Sequence, residues 1–186
     1  GSGGSINFAQ NGMVNLPLVR DKLAIRAHVY DRTDPGFIDD AGLGRIDVNE
    51  GRVKGGRASL LWTPTDKTSL RVTALAQNLD SDGTPVEALD PDTLVPVYGN
   101  LQQRSAALGG DAFDGRYRLY NATLDSDFGW SKLTASSSYS TLDAVLNTDA
   151  TPLLFLGPQV NGRPYATLQQ DHVHQTKATQ EIRLQS

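Results

Sequence analysis

The stretch VKGGRASLLWTPTDKTSLRVTALAQNL, residues 53–79, alternates apolar and polar side chains on both sides of a short polar segment. The apolar positions are Ala58, Leu60 and Trp62 before that segment and Leu70, Val72, Ala74 and Ala76 after it, and the polar positions between them are Arg57, Ser59, Arg71, Thr73 and Gln77. A period of two places alternate side chains on opposite faces of a β-strand. Thr63–Lys67 supplies the proline and aspartate that favour a turn. The stretch therefore predicts two long antiparallel strands with one apolar and one polar face.

The same alternation predicts about seven long strands along the chain, joined in sequence as an all-β antiparallel meander. The other predicted strands are Ser5–Val19, a strand beginning at Leu23, Arg116–Asp127, Ser131–Asn147 and Gln175–Leu184. In the first of them the even positions carry the apolar side chains, which are Ile6, Phe8, Val14, Leu16 and Leu18. Helical periodicity is weak throughout.

The lengths of the connections alternate between short and long. Short turns are predicted at Arg20-Asp21, Thr63–Lys67 and Asp127–Trp130, whereas long polar segments span Asp31–Arg52, Asp80–Gly115 and Thr148–His174. Structureless connections longer than about 12–15 residues are uncommon in compact soluble domains. Alternation of short and long connections is typical of outer-membrane β-barrels, and strands of about 10 residues are long enough to cross the hydrocarbon layer when tilted.

Side-chain chemistry agrees with a barrel wall. Trp62, Phe128 and Trp130 lie close to the predicted short turns, where amphipathic rings would sit at the level of the lipid headgroups. The faces opposite the apolar residues carry charged and titratable side chains that a wet lumen can hold, and a dry sandwich core cannot. The lumen-facing candidates are Arg26, His28, Arg57, Arg71, Lys132, Glu181 and Arg183.

Composition excludes several other classes. The 186 residues carry a formal net charge of −4 with the basic residues scattered, so a nucleic-acid partner is not expected. The absence of cysteine excludes disulfides and thiolate metal sites. No apolar run approaches the roughly 20 residues of a membrane-spanning helix. The Gly1-Ser2-Gly3-Gly4 opening has no signal peptide, which suggests that the original N-terminus has been removed.

Several phrases resemble TonB-dependent receptors. The segment NGMVNLPLVRDKLAIR, residues 11–26, resembles the first barrel hairpin of that family. Tyr30, the DPGFID loop at 34–39 and the GRASLLWTPTD strand at 56–66 follow in the family's order. The segments RLYNATL, residues 118–124, and QEIRL, residues 180–184, resemble later strands of the same barrel. The ordered set spans nearly the whole chain.

The resemblance implies that residues 1–186 form the early part of a transmembrane barrel of about 22 strands, without the plug domain and the remaining strands. It further implies transport across the outer membrane of a Gram-negative bacterium, with outer-membrane lipid, the plug and the TonB complex as partners. The imported ligand would be ferric siderophore, cobalamin, a glycan or an aromatic compound. An enzymatic activity and a cofactor are not expected.

Two alternatives to the transport hypothesis remain open at this stage. A soluble β-sandwich or lectin-like binding module would also alternate apolar and polar residues, with its polar face in bulk solvent. An enzyme on a β scaffold would need a catalytic constellation, and the three histidines have no motif partner.

Metal sites are weaker hypotheses. His172 and His174 would share a face of an extended strand but lack an evident third ligand. Asp80, Asp82, Asp90 and Asp92 offer calcium-type oxygens at a spacing that matches no recognised calcium loop. The glycines at 1–4 and 109–110 lack the strand-to-helix context of a phosphate-binding loop.

Overall fold

The computed structural model describes residues 6–85, 87, 89–90, 92–105, 110–151, 159–160, 163–164 and 166–186. The strands are β1 (Phe8–Val19), β2 (Leu23–Asp34), β3 (Asp39–Asp40), β4 (Gly51–Thr65), β5 (Thr68–Ser81), β6 (Gln102–Gln103), β7 (Phe113–Asp127), β8 (Lys132–Asp149), β9 (Gln159–Val160), β10 (Arg163–Pro164) and β11 (Leu168–Gln185). Short pairs β3–β6 and β9–β10 stand apart from the main sheet. Among these residues no α-helix is present, and so none spans a membrane.

The seven long strands form one antiparallel sheet in the order β1-β2-β4-β5-β7-β8-β11. Every long strand after β1 therefore pairs with the long strand that precedes it in the chain, which confirms the predicted all-β meander. The short turns lie side by side at one end, because Thr63 N–H donates to the Lys22 carbonyl at 2.7 Å and Asp127 N–H donates to the Lys67 carbonyl at 2.8 Å. The predicted placement of the three short turns is confirmed.

The strands extend further into the long segments than the alternation predicted. β2 continues to Asp34, and β11 begins at Leu168 rather than at Gln175. Residues 169–174, all polar except Val173, are extended because each one pairs with a residue of β8, from Gln169 opposite Thr148 to His174 opposite Asp143. Backbone hydrogen bonds to a neighbouring strand hold them, and these bonds do not depend on side-chain hydropathy.

Two irregularities in the strand register lie near the short turns. In β1 the register shifts between Pro17 and Val19, so Val19 and not Leu18 stands opposite Leu23. Leu18 is thus the extra residue of a bulge, with no partner of its own in β2. A second shift lies between Trp62 and Thr65, where Pro64 has no N–H to donate to the ladder.

The register gives the sheet two chemically distinct faces. One row runs across six strands through Leu23, Trp62, Leu70, Leu124, Ala135 and Ile182. We call the side of the sheet that carries this row the apolar face. Leu60 and Val72 share it, as predicted, whereas Arg26, Arg57, Arg71 and Lys132 stand on the opposite side, the polar face.

The apolar face is exposed and its chemistry changes along the sheet. Tyr120 keeps 54% of its surface accessible and Ile182 keeps 76%, so this face is not packed against another layer of the described chain. In β11, Thr176 and Gln180 alternate with Ala178 and Ile182 on the same face. This face is accordingly less apolar at the β11 edge than at its centre.

Close packing is concentrated in the long connections. Ile38 and Val48 are 2% and 6% exposed, and both lie between β2 and β4, outside the main sheet. Within the sheet Ala144 is the only buried apolar residue among those described. The seven long strands thus form a single layer, and the small core lies at the end of the sheet opposite the short turns.

The side chain of Tyr30 in β2 crosses Gly55 of β4 and contacts β5. Its hydroxyl donates to Gln77 Oε1 at 2.8 Å, so its side chain reaches from β2 over β4 to β5. Gly55 of β4 lies beneath the ring, where an added Cβ would stand 2.5 Å from Tyr30 Cζ and 2.8 Å from the Ala76 carbonyl oxygen. Gly55 is therefore required for the close approach of Tyr30.

We predict that Gly55→Ala lowers the free energy of unfolding by about 1–3 kcal/mol, because the methyl group must displace Tyr30 and break its bond to Gln77. Urea unfolding of the detergent-solubilised protein measures the change. Gly51→Ala in the same strand is the control, since its Cβ would meet no atom closer than 4.0 Å. Equal stability of the two variants would contradict the role given to Gly55.

Candidate functional site

A pocket of about 620 Å³ opens on the polar face at the β1 edge of the sheet. Its lining is Asn15, Leu16, Pro17, Ala24, Ile25, Arg26, His28, Arg57, Ser59, Leu61 and Arg71. The basic residues come from three adjacent strands, because Arg26 stands opposite Ser59, His28 opposite Arg57, and Leu61 opposite Arg71. Register alone therefore brings three arginines and a histidine, far apart in the sequence, to one concave surface.

The arginines of this pocket have no acidic partner in the described part of the chain. Arg26 Nε donates to the neutral Asn15 Oδ1 at 2.6 Å. Neither Arg57 nor Arg71 lies within 4.0 Å of a described carboxylate. Guanidinium groups bind carboxylates and phosphates with paired hydrogen bonds. The pocket is thus a positively charged surface suited to an anionic group.

The neighbouring half of the polar face satisfies its polar groups internally. Ser59 and Thr73 hydroxyls lie 3.0 Å apart, and Asn121 donates to Ser136 Oγ at 3.1 Å. Thr123 Oγ1 is 3.3 Å from the same Ser136 oxygen. These hydroxyls and amides form a neutral polar ladder across β4, β5, β7 and β8. The arginines of this face that lack an acidic partner are therefore concentrated in this pocket, which we call the arginine pocket.

Three of the seven predicted lumen-facing residues lie away from the pocket. Lys132 Nζ is 3.9 Å from Asp127 Oδ2 across the β7–β8 hairpin. Glu181 and Arg183, two residues apart on β11, pair with each other. All seven stand on the polar face, and the structure brings together only Arg26, His28, Arg57 and Arg71. That this face borders a lumen stays a prediction.

The aromatic residues predicted near the short turns are exposed there. Phe128 and Trp130 stack in the β7–β8 turn with ring centroids 6.4 Å apart, and they are 52% and 71% exposed. Trp62 is 47% exposed near the end of β4. Gly129 between the stacked rings has φ of 88°, a conformation that glycine adopts without strain.

The candidate metal ligands have other partners. His172 and His174 do share a face of β11, but His172 contacts Gln170 and His174 forms a short hydrogen bond with Asp143. Asp90 Oδ1 accepts the N–H groups of Asp92 and Thr93, which makes it the cap of a turn. Within the described ranges no group of three or more His, Cys, Asp or Glu side chains has the geometry to hold a metal ion.

A buried carboxylate that was not among the predicted site residues lies in the first long connection. Asp40 is 2% exposed and accepts hydrogen bonds from its own connection and from Gln103 and Ser105 in the second. Burial disfavours its charge, but hydrogen bonds from Ser105, Leu43 and Gly42 prevail and lower the pKa of Asp40. Asp40-Ala41-Gly42 carries the sequence signal of an aspartate turn. No local signal indicates a partner 65 residues away.

A second carboxylate nearby is shifted in the opposite direction. Burial raises the pKa of Asp111. A hydrogen bond from the Asp149 backbone opposes this shift, and the negative charges of Asp149 and Asp40 add to it. Asp111 lies just before β7 and has φ of 65°. Carboxylates of the first connection, the second connection and the end of β8 thus lie near one another at the end of the sheet that bears the small core.

Comparisons with known proteins support the fold only. No family model and no curated protein sequence matches the chain. The chain is similar to the crystal structure of the siderophore receptor PirA from Acinetobacter baumannii, with a TM-score of 0.62 and 15% sequence identity. The similarity covers 94% of this chain and 24% of that receptor, so the chain spans about a quarter of its length. A region of a siderophore receptor therefore has the fold described here.

Proposed function

We propose that this chain is part of the barrel wall of an outer-membrane TonB-dependent receptor that imports a scarce ligand. The observation that carries the proposal is a single-layered meander whose apolar face is exposed and whose outer strands each pair on one side only within the described chain. Likeness to a siderophore receptor over 94% of the chain supports the same assignment.

The dimensions of the sheet suit a membrane wall. The long strands have 12–18 residues, more than the roughly 9–11 that a tilted strand needs to cross the hydrocarbon layer. Exposed residues such as Val72 and Tyr120 would contact lipid, and the polar ladder would face water or protein inside the barrel. A soluble β-sandwich would need a second layer over the apolar face. The described strands supply no such layer, which favours the transport hypothesis.

The arginine pocket has a specific role in this proposal. If the polar face lines the lumen, Arg26, Arg57 and Arg71 face whatever fills the barrel. The lumen of a barrel of about 22 strands is wide enough to need a plug. Acidic side chains of a plug domain would neutralise the unpaired guanidinium groups. Lys132, Glu181 and Arg183 would contribute to the same wall without binding the plug, since their charges are paired locally.

The remaining parts of the proposal follow from the receptor class. The chain would reside in the outer membrane of a Gram-negative bacterium, surrounded by lipid, and the TonB complex would energise the intact protein. The ligand would be ferric siderophore, cobalamin, a glycan or an aromatic compound. The proposal involves no cofactor, no nucleic acid and no catalytic residue.

Placing an arginine on the apolar face tests the membrane assignment. We expect Val72→Arg in the intact receptor to reduce insertion into liposomes at a cost of about 2–4 kcal/mol, because its guanidinium group would enter the hydrocarbon layer. Leu75→Arg is the matched control, since Leu75 belongs to the same strand and faces the polar side. Equal insertion of the two variants would refute a lipid-facing apolar face.

Removing a pocket arginine tests the plug contact separately. Arg57→Ala should increase proteolytic cleavage of the plug in the intact receptor by about tenfold, because an acidic plug side chain loses its partner. Arg183→Ala serves as control, since Arg183 stands on the same face outside the pocket and pairs with Glu181. Unchanged plug protection in Arg57→Ala would rule out the plug as the partner of this residue and leave the barrel assignment intact.

A further inference from the structure

The first long connection, residues 35–50, is a folded unit in its own right. Asn49 Oδ1 accepts the N–H groups of Phe37 at 2.7 Å and Ile38 at 2.8 Å, and Val48 N–H donates to the Ile38 carbonyl at 2.8 Å. Ile38 and Val48 form its small core. These contacts lie within the first connection and involve no residue of the long strands.

A short parallel seam joins this unit to the second long connection, of which residues 82–85, 87, 89–90, 92–105 and 110–112 are described. Asp39 N–H donates to the Leu101 carbonyl at 3.0 Å, and Ala41 N–H donates to the Gln103 carbonyl at 2.9 Å. The seam, β3 with β6, is only two residues long. So short a pair is marginal on its own and needs further contacts to persist.

The Asp40 carboxylate supplies those contacts by dividing its oxygens between the two connections. From its own connection Oδ1 accepts the N–H groups of Gly42 at 2.8 Å and Leu43 at 2.9 Å. From the second connection Ser105 N–H lies 3.1 Å from Oδ2 and 3.2 Å from Oδ1, and Gln103 Nε2 is 3.5 Å from Oδ2. A buried carboxylate is costly unless such donors surround it.

The backbones of the two connections are in close contact around Asp40. A Cβ at Gly42 would clash with the Ser105 carbonyl oxygen. Arg45 pairs with Asp40 through backbone hydrogen bonds of 2.7 and 3.1 Å. Opening the seam would therefore remove the Ser105 and Gln103 donors together and leave the carboxylate partly unsatisfied.

We propose that Asp40 is a latch that joins the first and second long connections into one conformational unit, so that a contact made with either connection is transmitted to the other. The latch depends on the geometry of these connections and stands apart from the arginine pocket. Its donors at Ser105 and Gln103 are specific to the joined state, whereas those at Gly42 and Leu43 persist within the first connection alone.

Asp40→Asn separates these two sets of donors. The amide oxygen can still accept the N–H groups of Gly42 and Leu43, but its NH₂ group would oppose Ser105 N–H and the Gln103 amide. Hydrogen–deuterium exchange of the intact protein in detergent should become about tenfold faster in residues 36–49 and in residues 101–105, the loss expected for one hydrogen bond to a charged group. Exchange in β4 and β5 should not change.

Asp39→Asn is the matched control, because Asp39 Oδ1 accepts only the N–H of Asp47 at 3.2 Å among the bonds described, within the first connection. It should leave exchange in residues 101–105 unaltered. Ser105→Pro removes the latch donor from the opposite side and should reproduce the effect of Asp40→Asn in residues 36–49. Acceleration confined to residues 36–49 in Asp40→Asn, or no acceleration there in Ser105→Pro, would overturn the latch and reduce Asp40 to the cap of a turn.

Discussion

Backbone hydrogen bonding between neighbouring strands is the constraint on which the rest of the structure depends. Each inner strand has a partner on both sides, but β1 and β11 pair only with β2 and β8 within the described chain. Both outer strands are exposed along their whole length, 12 residues in β1 and 18 in β11. In a membrane, unpaired backbone groups cost several kcal/mol each. The proposed role in a barrel wall follows from this, since further strands would satisfy both edges.

The same ladder separates the two surfaces of the sheet. Side chains alternate with the backbone pairing, so a slip of one residue would move every arginine of the pocket to the apolar face. The two irregularities, at Leu18 and near Pro64, lie close to the short turns. The central rows, with Ile25 opposite Leu60 and Leu60 opposite Val72, keep a regular register. A lipid-compatible face and a charged face therefore coexist in a sheet one layer thick.

The features that could be predicted from the sequence are those that local alternation determines. Leu60, Val72 and Leu124 were placed on one face because each belongs to a run with a period of two, and the order of strands followed from the short turns. The register between strands is not local, which is why Arg57 and Arg71 could not be distinguished from Lys132, a residue that pairs with Asp127. The start of β11 was missed because residues 168–174 are ordered by β8.

Contacts between the long connections could not be predicted from the sequence, because they too join residues that are far apart in the chain. Asp40 and Ser105 meet across 65 residues, and nothing near either one in the sequence indicates the other. Only the meander, which returns the chain to the same end of the sheet after every second strand, brings the connections together. Ile38 and Val48 were likewise part of a segment described only as polar, although they form the best-buried apolar pair in the described chain.

Sedimentation of the isolated chain in detergent-free buffer tests the central claim most directly. An open sheet with two unpaired edges and an exposed apolar face should aggregate or pair edge to edge with further copies. We expect large or heterogeneous species that do not resolve into a monomer. A stable, monodisperse monomer would show that the sheet covers its own apolar face, and it would contradict the assignment to a barrel wall in favour of a soluble β-sandwich.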